Sequence, residues 1–270
     1  MNSLAVRKAG AIFSRDARIA MAYPVTFWST WVSLLGQIVT FYFISKLVGR
    51  SSAFGPGGRP VPYFDYVALN LAFVRFQDVA MHSYQQAMRG AQMLGTVEAV
   101  LATPTELALL ILSSGLWAFG LTLLQIVFFL GVGVMLGLDL THVDPLATLV
   151  FLVLTVLAMS PIGVLSAASI MVFKQEAPTA YLVGGAASLL GGVLFPVSKL
   201  PFALQILSWL LPITHSLNGL RGAVEGATLW QLRGDALWLA GLTVILMPIS
   251  LYVFSRAIRR AKMDGTLGDY

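Results

Sequence analysis

Long apolar runs constrain this chain more than any motif does. The first begins at Pro24 and continues to about Val48, and others cover 105–138, 146–173, 179–197 and 235–256. A helix needs about 20 predominantly apolar residues to cross the hydrocarbon core of a bilayer. Charged residues make up only 11% of the chain and hydrophobic ones 57%. A soluble domain carries roughly 25% charged residues, so this chain cannot coat a globule with charge. It reads as a membrane protein with several spans. The net charge of +5 is then no argument for nucleic acid, because basic residues in such proteins gather in cytoplasmic loops beside anionic lipid. Cysteine is absent, which excludes disulfides and thiolate chemistry. His82, His142 and His215 show no metal-ligand spacing. The run from Pro24 is too long for a signal-peptide core.

Taken in order, residues 3–22 read as an interfacial helix. Arg7, Lys8, Arg15 and Arg18 recur on one side, with Val6, Ala9, Phe13 and Ala20 roughly opposite, the pattern of a helix lying flat on an anionic leaflet. The first span, 24–48, has Pro24 in its first turn, where the missing N–H costs nothing. Phe27, Trp28 and Trp31 suit an aromatic belt. Phe41, Tyr42 and Phe43 further along have faces that suit either lipid or a stacked ligand. Residues 49–62 are rich in glycine and proline and read as loop.

The second span, 63–86, is unusual. Only Val67 to Val74 is cleanly apolar, and Asn70 lies inside it. Arg75, Asp78 and His82 follow on one helical face. Charges at membrane depth are costly and face protein or water. Two readings stand: a local Arg75–Asp78 pair that fixes packing, or the polar wall of a substrate path.

Residues 88–104, MRGAQMLGTVEAVLATP, form a polar-to-mixed island between apolar segments. Gly90 and Gly95 interrupt it, Glu98 charges it and Pro104 ends it. The third span, 105–138, carries a weak GxxxG-like pair, Gly133 and Gly137. The acidic loop 139–145 leads to the fourth span, 146–173, with Pro161 as a candidate kink. The fifth span, 179–197, puts Gly184, Ser188 and Gly192 on one face. The pattern then changes. Phe202 to Leu211 is bounded by Pro201 and Pro212, and a second short piece runs from Thr214 to Glu225. Ten helical residues reach only about 15 Å, half the hydrocarbon thickness. Residues 199–226 therefore read as a re-entrant helical hairpin, whose backbone must be shielded by protein or line a cavity. The last span, 235–256, contains Pro248.

Charge sets the expected orientation. With both termini in the cytosol and six full spans, Arg7, Lys8, Arg15, Arg18, Arg89, Lys174, Arg256, Arg259, Arg260 and Lys262 fall inside, and Lys46, Arg50, Arg59, Lys199, Arg221 and Arg233 outside. The two basic ends want the same side, so the number of spans is even.

Two stretches carry a family resemblance. LGTVEAVLATP (94–104) resembles the cytoplasmic G-T-hydrophobic-E…TP segment of type-2 ABC transporter permeases. GGVLFPVSKLPFALQILSWLLPITHSLNGLRG (191–222) resembles the segment that precedes the last span in that family. The resemblance covers nearly the whole chain. It implies an all-α polytopic membrane protein like the type V ABC exporters, a single transmembrane domain over 1–270. The island 88–104 would be a coupling helix that docks on an ATPase subunit, through Met93, Leu94, Gly95, Thr96, Glu98 and Ala99. The hairpin, with Phe195, Pro196, Pro201, Pro212, His215 and Arg221, would cap the pathway in the outer leaflet. The implied partners are a dimer of ABC ATPase subunits, a second copy of the chain or a homologous permease, and membrane lipid. ATP and magnesium would bind in the ATPase subunits, and no cofactor in this chain. The implied place is the cell inner membrane, with drugs, lipids, glycolipids or polysaccharides as export cargo.

The residues agree on energy supply. The dipeptide Gly-Lys never occurs in the sequence, so there is no phosphate-binding loop of the Walker type. Nor do these residues contain a soluble stretch long enough for a nucleotide-binding domain. Two other classes compete. An ion-coupled secondary transporter would have to use Arg75, Asp78 and His82. Asp78 is nearly alone as a mid-span carboxylate, and the halves show no inverted repeat. A membrane-embedded enzyme would need a constellation of catalytic groups at one depth, and His215, Asn218 and Glu225 do not make one.

Overall fold

The computed structural model describes residues 3–48, 62–93, 115–173, 185, 189–194 and 196–263. Within them every long element is an α-helix: α1 (Ser3–Ala22), α2 (Pro24–Val48), α3 (Tyr63–Met93), α4 (Leu116–Met135), α5 (Pro145–Phe173), α6 (Phe202–Leu210), α7 (Pro212–Val224) and α8 (Arg233–Met263). Val197–Lys199 forms a single 3₁₀ turn ahead of α6. Among the described residues four stretches are long and apolar enough to cross a membrane: Phe27–Leu47, Leu116–Met135, Pro145–Ile170 and Arg233–Arg260.

Local chemistry explains the boundaries. The acidic loop ends at Asp144, whose Oδ1 accepts the N–H groups of Leu146 at 2.9 Å and Ala147 at 3.0 Å. It caps α5, and Pro145 follows where a helix has no use for an N–H. Earlier in the loop, Thr141 donates its hydroxyl to Asp139 Oδ1 at 2.7 Å and its N–H at 3.0 Å. Those bonds hold the Asp139 carboxyl below the usual carboxylate range. Gly226 ends α7 at φ +85°. Its N–H reaches Ala223 O and that of Ala227 reaches Gly222 O, a Schellman closure that needs the left-handed residue.

Helix α5 is the hub, packing along α8, α3 and α7. Pro161 does not end it. The helix continues through it over 29 residues. Close approach is bought with glycine. A Cβ on Gly163 of α5 would stand 2.6 Å from Ala80 O and 2.7 Å from Met81 O of α3. A Cβ on Gly219 of α7 would stand 2.0 Å from the Phe151 ring of α5. Tyr84 and Ser160 join the same α3–α5 seam through their hydroxyls at 3.0 Å.

Helix α3 lies at the centre, with α5, α4, α2 and α7 around it. This accounts for its composition. A helix facing lipid must be apolar all round, whereas one wrapped by other helices can carry polar groups if they find partners. The helix also runs longer than the expected 63–86. Its 31 residues measure about 46 Å against a hydrocarbon core of about 30 Å, so it projects well beyond one. Helix α8, also 31 residues long, likewise exceeds its expected 235–256. The fifth expected span falls largely outside the described residues. Helix α1 lies against α4 and α2, with Phe13 edge-on to Trp117 at 5.3 Å.

Candidate functional site

The site residues expected from sequence fall into three places. Met93 closes α3, while Leu94, Gly95, Thr96, Glu98 and Ala99 lie outside the described residues, as does Phe195. Pro196 precedes the 3₁₀ turn, Pro201 precedes α6, and Pro212 opens α7. His215 and Arg221 project from α7, and Arg75, Asp78 and His82 from α3.

Arg221 is the centre of a buried network. Its Nε donates to Asn70 Oδ1 at 2.6 Å, and a terminal nitrogen donates to Gly192 O. Asn70 Nδ2 donates to Val193 O at 2.7 Å, and Tyr66 OH donates to Gly192 O at 2.7 Å. The guanidinium lies over the Tyr66 ring, 4.6 Å from its centroid. All three side chains are buried. The amide of Asn70 has no freedom to flip: its oxygen faces a donor and its nitrogen a carbonyl. The network ties α3 to α7 and to the turn at 192–193. A buried cation held by an amide, carbonyls and a ring is stable only while each partner stays. Sequence reasoning found Arg221 and noticed Asn70. It missed Tyr66 and the link between them.

A second clamp holds α6, α7 and α8. His215 Nδ1 is 2.6 Å from Asp235 Oδ1, and Nε2 is 2.9 Å from Trp209 O. The ring sits between Trp209 and Trp238, at centroid distances of 5.6 and 5.3 Å. His215→Phe keeps the ring and loses both polar bonds. It is expected to lower stability by about 1.5–3 kcal/mol, read as thermal unfolding of the purified protein. A variant as stable as the parent would show that ring packing alone holds the clamp.

Arg75 and Asp78 act on each other's charge but make no direct ion pair among the described residues. Arg75 donates across to Gln37 Oε1 on α2. The reason is geometric: a long guanidinium stem reaches a neighbouring helix, and the Gln37 oxygen accepts a bond that the membrane would not supply. Asp78 and His82 face a different space. His82 Nδ1 donates to the Asp78 carbonyl at 2.9 Å. Asp78, Val79, His82, Ser83, Gln86 and Ala118 line a cleft of about 200 Å³ between α3 and the start of α4. The aromatic residues of α2 do not gather into a site. Trp31 packs on Phe128 at 5.0 Å and Tyr42 on Phe64 at 5.6 Å, while Trp28 and Phe43 are exposed.

A bundle of long apolar helices around one polar helix does not by itself name a function, and a comparison at the level of sequence families decides it. The family model described as ABC-2 type transporter matches residues 10–224. The chain belongs to the ABC-2 type transporter family. No curated protein sequence matches it. The matched region contains α2 to α7, both polar sites on α3 and the whole α6–α7 unit. Membrane chains of the ABC-2 family are transmembrane, non-catalytic components of ABC transporters and generally work with an ABC ATPase. This ABC-2 chain is thus a multi-pass membrane protein and a transport component.

Proposed function

We propose that the chain is the permease subunit of an ATP-driven exporter. Two copies, or one copy and a homologous permease, would form the pathway, and two ATPase subunits holding ATP and magnesium would drive it. The observation that carries the reading is the family match across 10–224. The shape of α3 supports the coupling route. A 31-residue helix fixed in the middle of the bundle delivers its Met93 end to the island that follows, so a push on 94–104 would move the core as a rigid lever. Both termini are then cytoplasmic, in the cell inner membrane, with six spans.

In this reading α6 and α7 form the re-entrant hairpin. Their 9 and 13 residues extend about 14 and 20 Å, too short to cross the core. Burial of α7 against α5, α3 and α8 meets the need for shielding. The cargo class is a drug, lipid, glycolipid or polysaccharide.

The test is affinity purification of tagged protein from its native membrane. A stoichiometric ATPase should co-purify, and scrambling 94–100 should release it. Glu98→Arg, or a bulky residue at Gly95, is expected to abolish transport-coupled ATP hydrolysis while insertion stays intact. Normal coupled hydrolysis in both variants would remove the docking role. A clean chain without ATPase, in detergent and in lipid discs, would overturn the exporter reading in favour of an ion-coupled carrier that uses Arg75, Asp78 and His82.

A further inference from the structure

The cleft between α3 and α4 is separate from the Arg221 network and from the His215 clamp. Its polar residues come from one helical face: Asp78, His82, Ser83 and Gln86. Three features mark it as more than a packing fault. Among the described residues the Asp78 carboxylate makes no direct ion pair: His82 and Arg75 act on its charge from a distance, and Arg75 turns its guanidinium to Gln37 on α2. Ser83 is more than nine-tenths buried, and its Oγ has no hydrogen-bond partner among the described residues. A buried hydroxyl left without a partner is costly, and a ligand at this spot would supply one. The cleft is also small. At about 200 Å³ it falls below the roughly 300–1,000 Å³ of sites that enclose a whole drug-sized molecule. It has room for a head group.

Position narrows the ligand further. Asp78 lies 15 residues along α3 from Tyr63, about 22 Å, and Gln86 about 34 Å. The other wall is Ala118, in the first turn of α4, next to the Trp117 on which the interfacial helix α1 packs. The cleft is therefore at the level of α1, whose sequence is that of a helix lying among lipid head groups. Leu116, Leu123 and Val127 are exposed along α4, on the side of that helix turned away from Ala118.

We infer that the cleft binds the primary ammonium head of an amphiphile. An ammonium brings three N–H donors to acceptors on the Asp78 carboxylate, the Ser83 hydroxyl and the Gln86 amide. A quaternary ammonium would match the charge and leave the hydroxyl unsatisfied, and an anion would meet Asp78. The inference rests on the exporter reading for its meaning as a cargo or lipid-entry site, but the binding itself is independent of the ATPase.

The test uses the full chain in phosphatidylcholine discs, without ATP or partner, and a dodecylamine carrying a diazirine beside the amino group. Light should attach it saturably within 78–86 and near Ala118, as mapped by mass spectrometry. Dodecylamine should compete, and dodecyltrimethylammonium should compete about tenfold less well. Asp78→Asn should cut labelling about tenfold, and Gln86→Glu, which adds a second carboxylate, should raise it. Labelling spread over the protein, undiminished in Asp78→Asn, or lowered in a folded Gln86→Glu variant would overturn the site. Equal competition by the quaternary amine would overturn its preference for a primary head. Discs of phosphatidylethanolamine distinguish the source: suppressed labelling identifies the lipid head group as occupant, and unchanged labelling a free amphiphilic amine. Intact labelling in a protein that never recruits an ATPase would leave the amine site standing and remove the exporter reading alone.

Discussion

Gly219→Ala is expected to unseat α7 from α5. The new methyl carbon would stand 2.0 Å from one carbon of the Phe151 ring and 2.2 Å from another, and Phe151 is itself fully buried. Ordinary overpacking costs about 1–3 kcal/mol and sometimes more. A ring with nowhere to rotate puts this change at the upper end, about 3 kcal/mol or beyond. The expected readout is a marked fall in monodisperse protein recovered from detergent and in its thermal midpoint. Phe151→Leu, combined with Gly219→Ala, should restore part of the loss, because the obstacle is a side chain that can be trimmed. Gly163→Ala should be as damaging and should resist such rescue. Its methyl meets the carbonyl oxygens of Ala80 and Met81, and backbone does not move without shifting all of α3. Rescue of Gly163→Ala by trimming Tyr84, also 2.8 Å away, would overturn that distinction.

Asn70→Ala is the second large effect. It strips Arg221 Nε and Val193 O of their partners at once and leaves a guanidinium buried with fewer bonds. Breaking one side of a buried charged arrangement costs about 3–5 kcal/mol. Removing both sides is gentler, since two apolar groups of similar shape ask for no partner. Asn70→Ala with Arg221→Met is therefore expected to unfold at a higher temperature than Asn70→Ala alone. A double variant that simply adds the two single losses would mean that Asn70 and Arg221 act separately.

The parts of the fold that could be read from sequence are those written within one helix. Pro24 and Val48 bound α2, and Pro201 and Pro212 frame α6, because proline chemistry and apolar run length act locally. What stayed hidden lies between helices. Arg75 and Asp78 look like a pair when α3 is read alone. Gln37, on a neighbouring helix 38 positions earlier, has no mark in the sequence to show that it takes the guanidinium. Asn70 and Arg221 are 151 positions apart, and His215 and Asp235 are 20 apart on different helices. Helical periodicity carries no information about such partners. Gly163 and Gly219 are hidden for the same reason. In a chain with 25 glycines, only the facing helix shows which of them hold two backbones together. The same polar composition that made α3 look like a flawed span follows from its central place.

That central place has a consequence for how the protein is made. Helix α3 is not among the segments apolar enough to enter lipid alone, and the helix that covers most of it, α5, ends about 80 residues later in the chain. At roughly 5–20 residues per second, the ribosome takes about 4–16 s to supply that cover. During this interval Asp65, Arg75 and Asp78 have only α2, α4 as it emerges, and the insertion machinery as neighbours. Insertion of α3 is thus a delayed and cooperative step of biogenesis. Variants that weaken the α3–α5 seam should be caught by membrane proteases on the nascent chain, before transport is ever at stake.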